Sequence, residues 1–159
     1  MMGSIENHIA EVLTGDDQTN ALSFVTFLQE QGVQFERGTG YWADHFYLML
    51  KYRDEYVCFI LLGDSEGTDF PWTIWSDNYN STLFADFPLD ERTKEIAWNN
   101  VDYCAKCGSC NGGIRKTIFG KEFNNVCTTT FRFDNPDAEA VECMKKLVRM
   151  RIENYHNLK

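Results

Sequence analysis

The chain of 159 residues predicts an α+β fold: an antiparallel sheet of about four to six strands with packed helices, and a Cys-rich metal-binding loop in the second half. Three observations predict it. Apolar residues near 21–28 recur at helical spacing, whereas residues 46–76 carry runs of β-branched and aromatic strand formers. Helices and strands are segregated along the chain instead of alternating. A long amphipathic stripe then closes the sequence. Neither a repeat nor a linker interrupts it, so residues 1–159 read as a single domain, with 1–15 a flexible arm or a short helix.

The elements follow in order. Asp16 or Asp17 caps a helix whose stripe is Ala21, Leu22, Phe24, Val25 and Leu28, and Gly32 ends it. Residues 35–42 predict a strand. Residues 46–52 and 56–62, joined by the tight Arg53-Asp54-Glu55 turn, read as a β-hairpin. Its second arm is apolar throughout, which makes it a central strand and Cys58 a packed core thiol. Residues 70–76 add another strand. Residues 77–89 form a loop whose Phe84, Phe87 and Leu89 fold back on the sheet.

Asp90 caps the next helix, with Ile96, Ala97 and Val101 on its apolar side, and that helix delivers Cys104. Residues 114–119 and 128–133 are extended, and residues 120–125 between them are a turn or one turn of helix. In the final helix Asn135 is the cap and Pro136 the first helical residue. Val141, Met144, Val148, Ile152 and Tyr155 supply its core stripe.

Composition excludes several functions. Hydrophobic residues make up 43% and aromatics 14%, enough for a real core. A net charge of −9 repels phosphate backbones and anionic lipid, so nucleic acid is an unlikely partner. No apolar run is long enough to span a membrane, and no secretory leader is evident, which predicts a cytoplasmic protein. In a reducing compartment, clustered cysteines serve metals or redox chemistry more often than disulfides.

Four of the six cysteines cluster: Cys104, Cys107 and Cys110 at a spacing of three, then Cys127. Short Cys-x-x-Cys steps turn successive thiolates toward one centre, as a tetrahedral zinc ion requires. Structural zinc on these four is the preferred reading. Cys104-Ala105-Lys106-Cys107-Gly108-Ser109-Cys110 also resembles the first three ligands of bacterial ferredoxins, which implies an iron–sulfur cluster, but the Cys-Pro that follows in those proteins is missing. A dithiol that cycles with a disulfide is the third possibility, and cysteines without a metal the fourth. Lys106, Arg115, Lys116 and Lys121 flank the cluster, either to offset thiolate charge or to grip an anion.

Trp42, Tyr47, Trp72, Trp75 and Tyr79 gather near strand ends, where they line a cavity for a small planar ligand or simply cover the sheet. His45 neighbours Asp44, but strand neighbours point to opposite faces, so this pair builds no general base. Neither a phosphate loop nor a nucleophile elbow occurs, and no catalytic residue is assigned.

Residues 97–104 and 115–123, the latter with Ile118-Phe119-Gly120-Lys121-Glu122-Phe123, together with the Cys-x-x-Cys-Gly-x-Cys of 104–110, resemble a family of small uncharacterised bacterial proteins. The resemblance covers the second half of the chain. It implies a bacterial cytoplasmic origin and no activity, substrate or catalytic residue. The expected function is therefore a metal-binding module, of zinc before an iron–sulfur cluster, that recognises a small molecule or a protein in a regulatory role. The alternative is a redox protein using the same cysteines.

Overall fold

A computed structural model describes residues 2–37, 46–62, 71–76, 88–104 and 113–158. Two helices open the chain. In α1 (Met2–Val12) the apolar residues Ile5 and Ile9 fall four apart, with Leu13 next in the series, and all three are buried. The start of the chain is thus a packed helix and not an arm. Helix α2 (Gly15–Glu30) begins after Thr14, so Asp16 and Asp17 sit in the first turn instead of capping it. There they face the positive end of the helix dipole. Its C-terminus closes on Gly32 at φ +82°, with Gly32 N–H donating to Gln29 and Val33 N–H to Leu28. Only a left-handed residue closes both bonds, which is why glycine stands there.

Seven strands lie among the described residues: β1 (Gln34–Arg37), β2 (Phe46–Tyr52), β3 (Glu55–Leu62), β4 (Trp72–Ser76), β5 (Val101–Tyr103), β6 (Ile114–Ile118) and β7 (Lys121–Asp134). Every pairing is antiparallel, in the order β1-β2-β3-β4-β7-β5, with β6 also on β7. The sheet therefore exceeds the four to six strands expected. Its extra member is short β5, a three-residue strand between a helix and the cysteines, too brief to leave a period in the sequence.

The other differences have local causes. Helix α3 (Glu91–Asn99) is capped as expected, with Thr93 N–H donating to Asp90 Oδ2 at 3.0 Å. It stops at Asn99, however, and Cys104 is delivered by β5, which also takes Val101 out of the helix. Between β6 and β7 only Phe119 and Gly120 turn, at φ +49° and +85°, and Ile118 pairs with Lys121. Residues 121–125 are thus strand, neither turn nor helix. Helix α4 (Ala138–Leu158) takes its cap from Asp137, whose Oδ1 accepts from Ala140 N–H at 2.8 Å. Asn135 is spent earlier, donating its own N–H to the Trp72 carbonyl at 2.7 Å.

Strand alternation sorts the sheet into two faces. Leu48, Leu50, Cys58, Ile60, Leu62, Trp72, Ile74, Phe131 and Phe133 share one, and join the core formed by Phe24, Leu28, Val141, Met144 and Val148 of the helices. Tyr47, Met49, Phe59, Leu61, Thr73, Trp75, Arg132 and Asp134 share the other. Strand β3 lies between β2 and β4, and Cys58 is fully buried, as an apolar central strand requires. Among the described residues no helix is long and apolar enough to cross a membrane.

Candidate metal centre

The spine of the cysteine region is β7. Val126 pairs with Tyr103 of β5 and also with Ile114 of β6, so one strand on each edge of β7 meets at this residue. Cys104 directly follows β5, and its N–H donates to the Asn125 carbonyl at 2.8 Å. Asn125 Nδ2 returns a longer bond of 3.4 Å to the Cys104 carbonyl. Asn125 itself is left-handed, φ +59°, a conformation asparagine tolerates better than most residues. It marks an irregularity in the β6–β7 register between Ile114 and Lys116, so it works as a bulge that turns its amide toward β5.

Gly113, on the far side of the cysteine segment, presses on the same residue. A Cβ at Gly113 would lie 2.4 Å from Asn125 Oδ1 and 2.5 Å from its backbone carbon. Close backbone approach is the physical reason for glycine here. Residues 105–112, which carry Cys107 and Cys110, therefore leave and re-enter the described structure at Asn125. Cys127 is two residues further along β7. Cys104 and Cys127 are both half-buried.

Of the four expected ligands, Cys104 lies opposite Asn125 and Cys127 two residues beyond it along β7. Cys107 and Cys110 lie outside the described residues, as does Lys106. Among the described residues no three His, Cys, Asp or Glu side chains gather around one point. The remaining two cysteines are elsewhere: Cys58 in β3 and Cys143 in α4, both buried. Burial pushes the Cys143 thiol up to about 12, with Lys146 opposing the rise, and its Sγ lies 3.7 Å from the Thr93 carbonyl. It is a packed thiol. His45 and Asp44 lie outside the described residues.

The flanking cations serve the β6–β7 hairpin more than the sulfurs. Arg115 pairs with Glu122 across the hairpin. Lys121 sits over Trp98 at 5.2 Å and Phe123 at 5.6 Å, while Trp98 Nε1 donates to the Ile118 carbonyl at 2.8 Å. Lys116 donates through Nζ to Thr130 Oγ1 at 2.6 Å, three residues past Cys127. Thr130 is fully buried and left-handed, φ +72°, so β7 carries a second distortion just past Cys127. Phe131 N–H, next along, donates to the Ser76 hydroxyl at 3.2 Å, a side chain standing where a ladder bond is lost.

The aromatic residues divide between the faces. Tyr47 and Trp75 meet edge to face at 6.1 Å on the face away from the helices. Trp72, three residues before Trp75, has the opposite parity and is buried in the core, where its Nε1 has no hydrogen-bond partner among the described residues. Trp72 therefore does not belong with Tyr47 and Trp75. Trp42 and Tyr79 lie outside the described residues. Phe59 takes the place beside Tyr47, stacked at 6.1 Å, and Arg132 covers the Trp75 ring at 5.2 Å.

Asn125 did not stand out in the sequence, and the freedom that Gly112-Gly113 gives the backbone beside the cysteines did not show that Gly113 meets it. The signal was present but ambiguous: Gly112-Gly113 and Asn124-Asn125 are ordinary turn formers, and only the register shows that they meet. Comparison of the chain with known protein families, with curated proteins and with solved structures found no match.

Proposed function

We propose that the chain is a small cytoplasmic metal-binding module in which Cys104, Cys107, Cys110 and Cys127 hold one structural zinc ion. In this reading the module serves a binding role, toward a small molecule or a protein, and not catalysis. What carries the reading is the convergence on Asn125: the residue before the cysteine segment, Cys104, and the residue after it, Gly113, both pack on Asn125, two positions from Cys127. In this reading the thiols of Cys107 and Cys110 join those of Cys104 and Cys127 around one ion. Four thiolates then satisfy the tetrahedral preference of zinc, with sulfur bonds of about 2.3 Å. Zinc held there crosslinks β5 to β7 and adds its binding free energy to folding.

A redox reading has one feature in its favour, the Cys-x-x-Cys-Gly-x-Cys spacing it shares with the first ligands of bacterial ferredoxins. Elemental analysis with an absorption spectrum, on protein purified without oxygen or added metal, separates the two. About one zinc per chain and no visible band is the expected result. Iron with visible absorption replaces the zinc centre by a cluster, and an absence of both metals removes the metal reading altogether.

A further inference from the structure

Strand β7 does not run evenly past Cys127. On its β5 edge Tyr103 pairs with Val126 and Val101 with Phe131, so a step of two residues in β5 matches a step of five in β7. Three extra residues are taken up there, and residues 127–130 together oppose Asp102 alone. On the other edge, among the described residues, β6 pairs with β7 no further than Val126 and β4 only from Arg132. A bulge bends the strand that carries it and re-aims its side chains. Cys127 is the first residue of this one.

Thr130 is the last, and its backbone is the strained part. Among the described non-glycine residues with positive φ it is the one β-branched side chain, at φ +72°. Such a conformation persists only where the surroundings impose it. Two contacts from other strands do so. The buried Thr130 hydroxyl accepts from Lys116 Nζ at 2.6 Å, a bond strengthened by the charge of its donor. Next along, Phe131 N–H donates to the Ser76 hydroxyl at 3.2 Å. The bulge is thus held at both ends, at Val126 by the β5 and β6 ladders and at Thr130 by a lysine of β6. Cys127 lies between these two fixed points.

We infer that Lys116 is a positioning residue of the metal centre: acting through Thr130, it holds the 127–130 bulge in the shape that presents Cys127 to zinc. The inference rests on the proposed zinc ion. It gives Lys116 a geometric role in place of a general offsetting of thiolate charge, and the two roles part at Thr130, whose side chain is neutral.

Zinc affinity of the full chain, measured by competition with a chromophoric chelator, tests it. Lys116→Met removes the ammonium, and Thr130→Val removes the hydroxyl without changing the net charge. Each is expected to weaken zinc binding about tenfold or more, the scale on which outer partners of metal ligands act. Thr130→Ser, which keeps the hydroxyl, and Arg115→Gln, which removes a cation paired with Glu122, are expected to bind zinc as the parent does. In a Cys127→Ser background Lys116→Met should have no further effect, because the bulge then has no ligand to present. Weakening by Lys116→Met without weakening by Thr130→Val would show a lysine acting by charge and overturns the inference, as does full additivity with Cys127→Ser. Should the substituted chains fail to fold, the Lys116 side-chain resonances of unaltered, metal-free protein are followed as zinc is added. A shift complete at one zinc per chain supports the role, and unmoved resonances overturn it. Parent protein that takes up no zinc retires the zinc ion and this role together; parent protein that binds zinc, with every variant equal to it, retires this role alone.

Discussion

Cys104 and Asn125 hold each other through two hydrogen bonds, the Cys104 N–H to the Asn125 carbonyl at 2.8 Å and Asn125 Nδ2 to the Cys104 carbonyl at 3.4 Å. Gly113 packs against the same asparagine, so Cys104 and Gly113 both rest on Asn125. The proposed metal centre therefore depends on a residue outside its ligand set.

Gly113→Ala puts this to the test. The added methyl overlaps Asn125 backbone, which cannot swing away as a flexible side-chain end would. Overpacking of this kind costs about 1–3 kcal/mol, and about 2–4 °C in Tm for each kcal/mol in a chain of this size. Zinc per chain should fall together with Tm. A variant that melts lower yet keeps its full metal content would separate the clamp from the centre.

Asn125 makes a finer distinction possible, because its backbone and its amide have different jobs. Asn125→Gly keeps the left-handed backbone and loses only the 3.4 Å bond, so a loss of about 1 kcal/mol or less is expected. Asn125→Val places a β-branched residue at positive φ and should be clearly the worse of the two. Urea unfolding of both variants measures the order. Equal loss in the two would mean that backbone strain plays no part.

Thiol counting follows from burial. Cys58 is 0% and Cys143 2% exposed, and burial holds the Cys143 thiol near 12, so neither should react with a disulfide reagent in folded protein. The cysteines of the cluster, bound to zinc, should react slowly until a chelator strips the metal. The expected fast thiols are none in native protein, four after chelation and all six in denaturant. Fast reaction before chelation, unchanged by it, would argue that no metal protects the cluster.

Much of this architecture was legible in the sequence, and the reason lies in which signals are local. The Phe46–Tyr52 and Glu55–Leu62 hairpin, the Gly32 stop and the Asp90 cap each depend on a few adjacent residues. What escaped depends on register. Trp72 and Trp75 are near neighbours in sequence and look equivalent, yet their odd separation sends one into the core and the other to the far face. Phe59 hid inside an unbroken apolar strand. The Phe119-Gly120 turn places a phenylalanine at positive φ, where turn chemistry favours asparagine, so nothing announced it. Likewise the pairing of Cys104 with Asn125 is a contact across 21 residues, invisible to any local pattern. The cysteine spacing proposed a centre, and the β5–β7 register adds that Cys104 lies opposite Asn125, two positions from Cys127.

The last prediction concerns acid. Asp90 accepts hydrogen bonds from the Thr93 hydroxyl and the Thr93 N–H and pairs with Lys146, and its carboxyl is held down at about 2, the Thr93 hydroxyl contributing most. Glu139 is lowered as well, chiefly by its hydrogen bond with Arg92, so both carboxylates that join α3 to α4 favour the charged form in folded protein. A carboxyl that titrates lower when folded stabilises the fold above its ordinary value of about 4, and that contribution is lost as pH falls toward 2. Asp90→Asn keeps a good capping side chain and removes the charge, which isolates the ionisation. The Tm difference between wild type and Asp90→Asn should thus be largest near neutral pH, of the order of a few degrees. It should shrink below pH 4 and be mostly lost by pH 2, where the folded wild-type carboxyl is about half protonated. Thermal melts across that range decide it: a difference that stays constant with pH would show that the Asp90 charge does not help to hold α3 against α4.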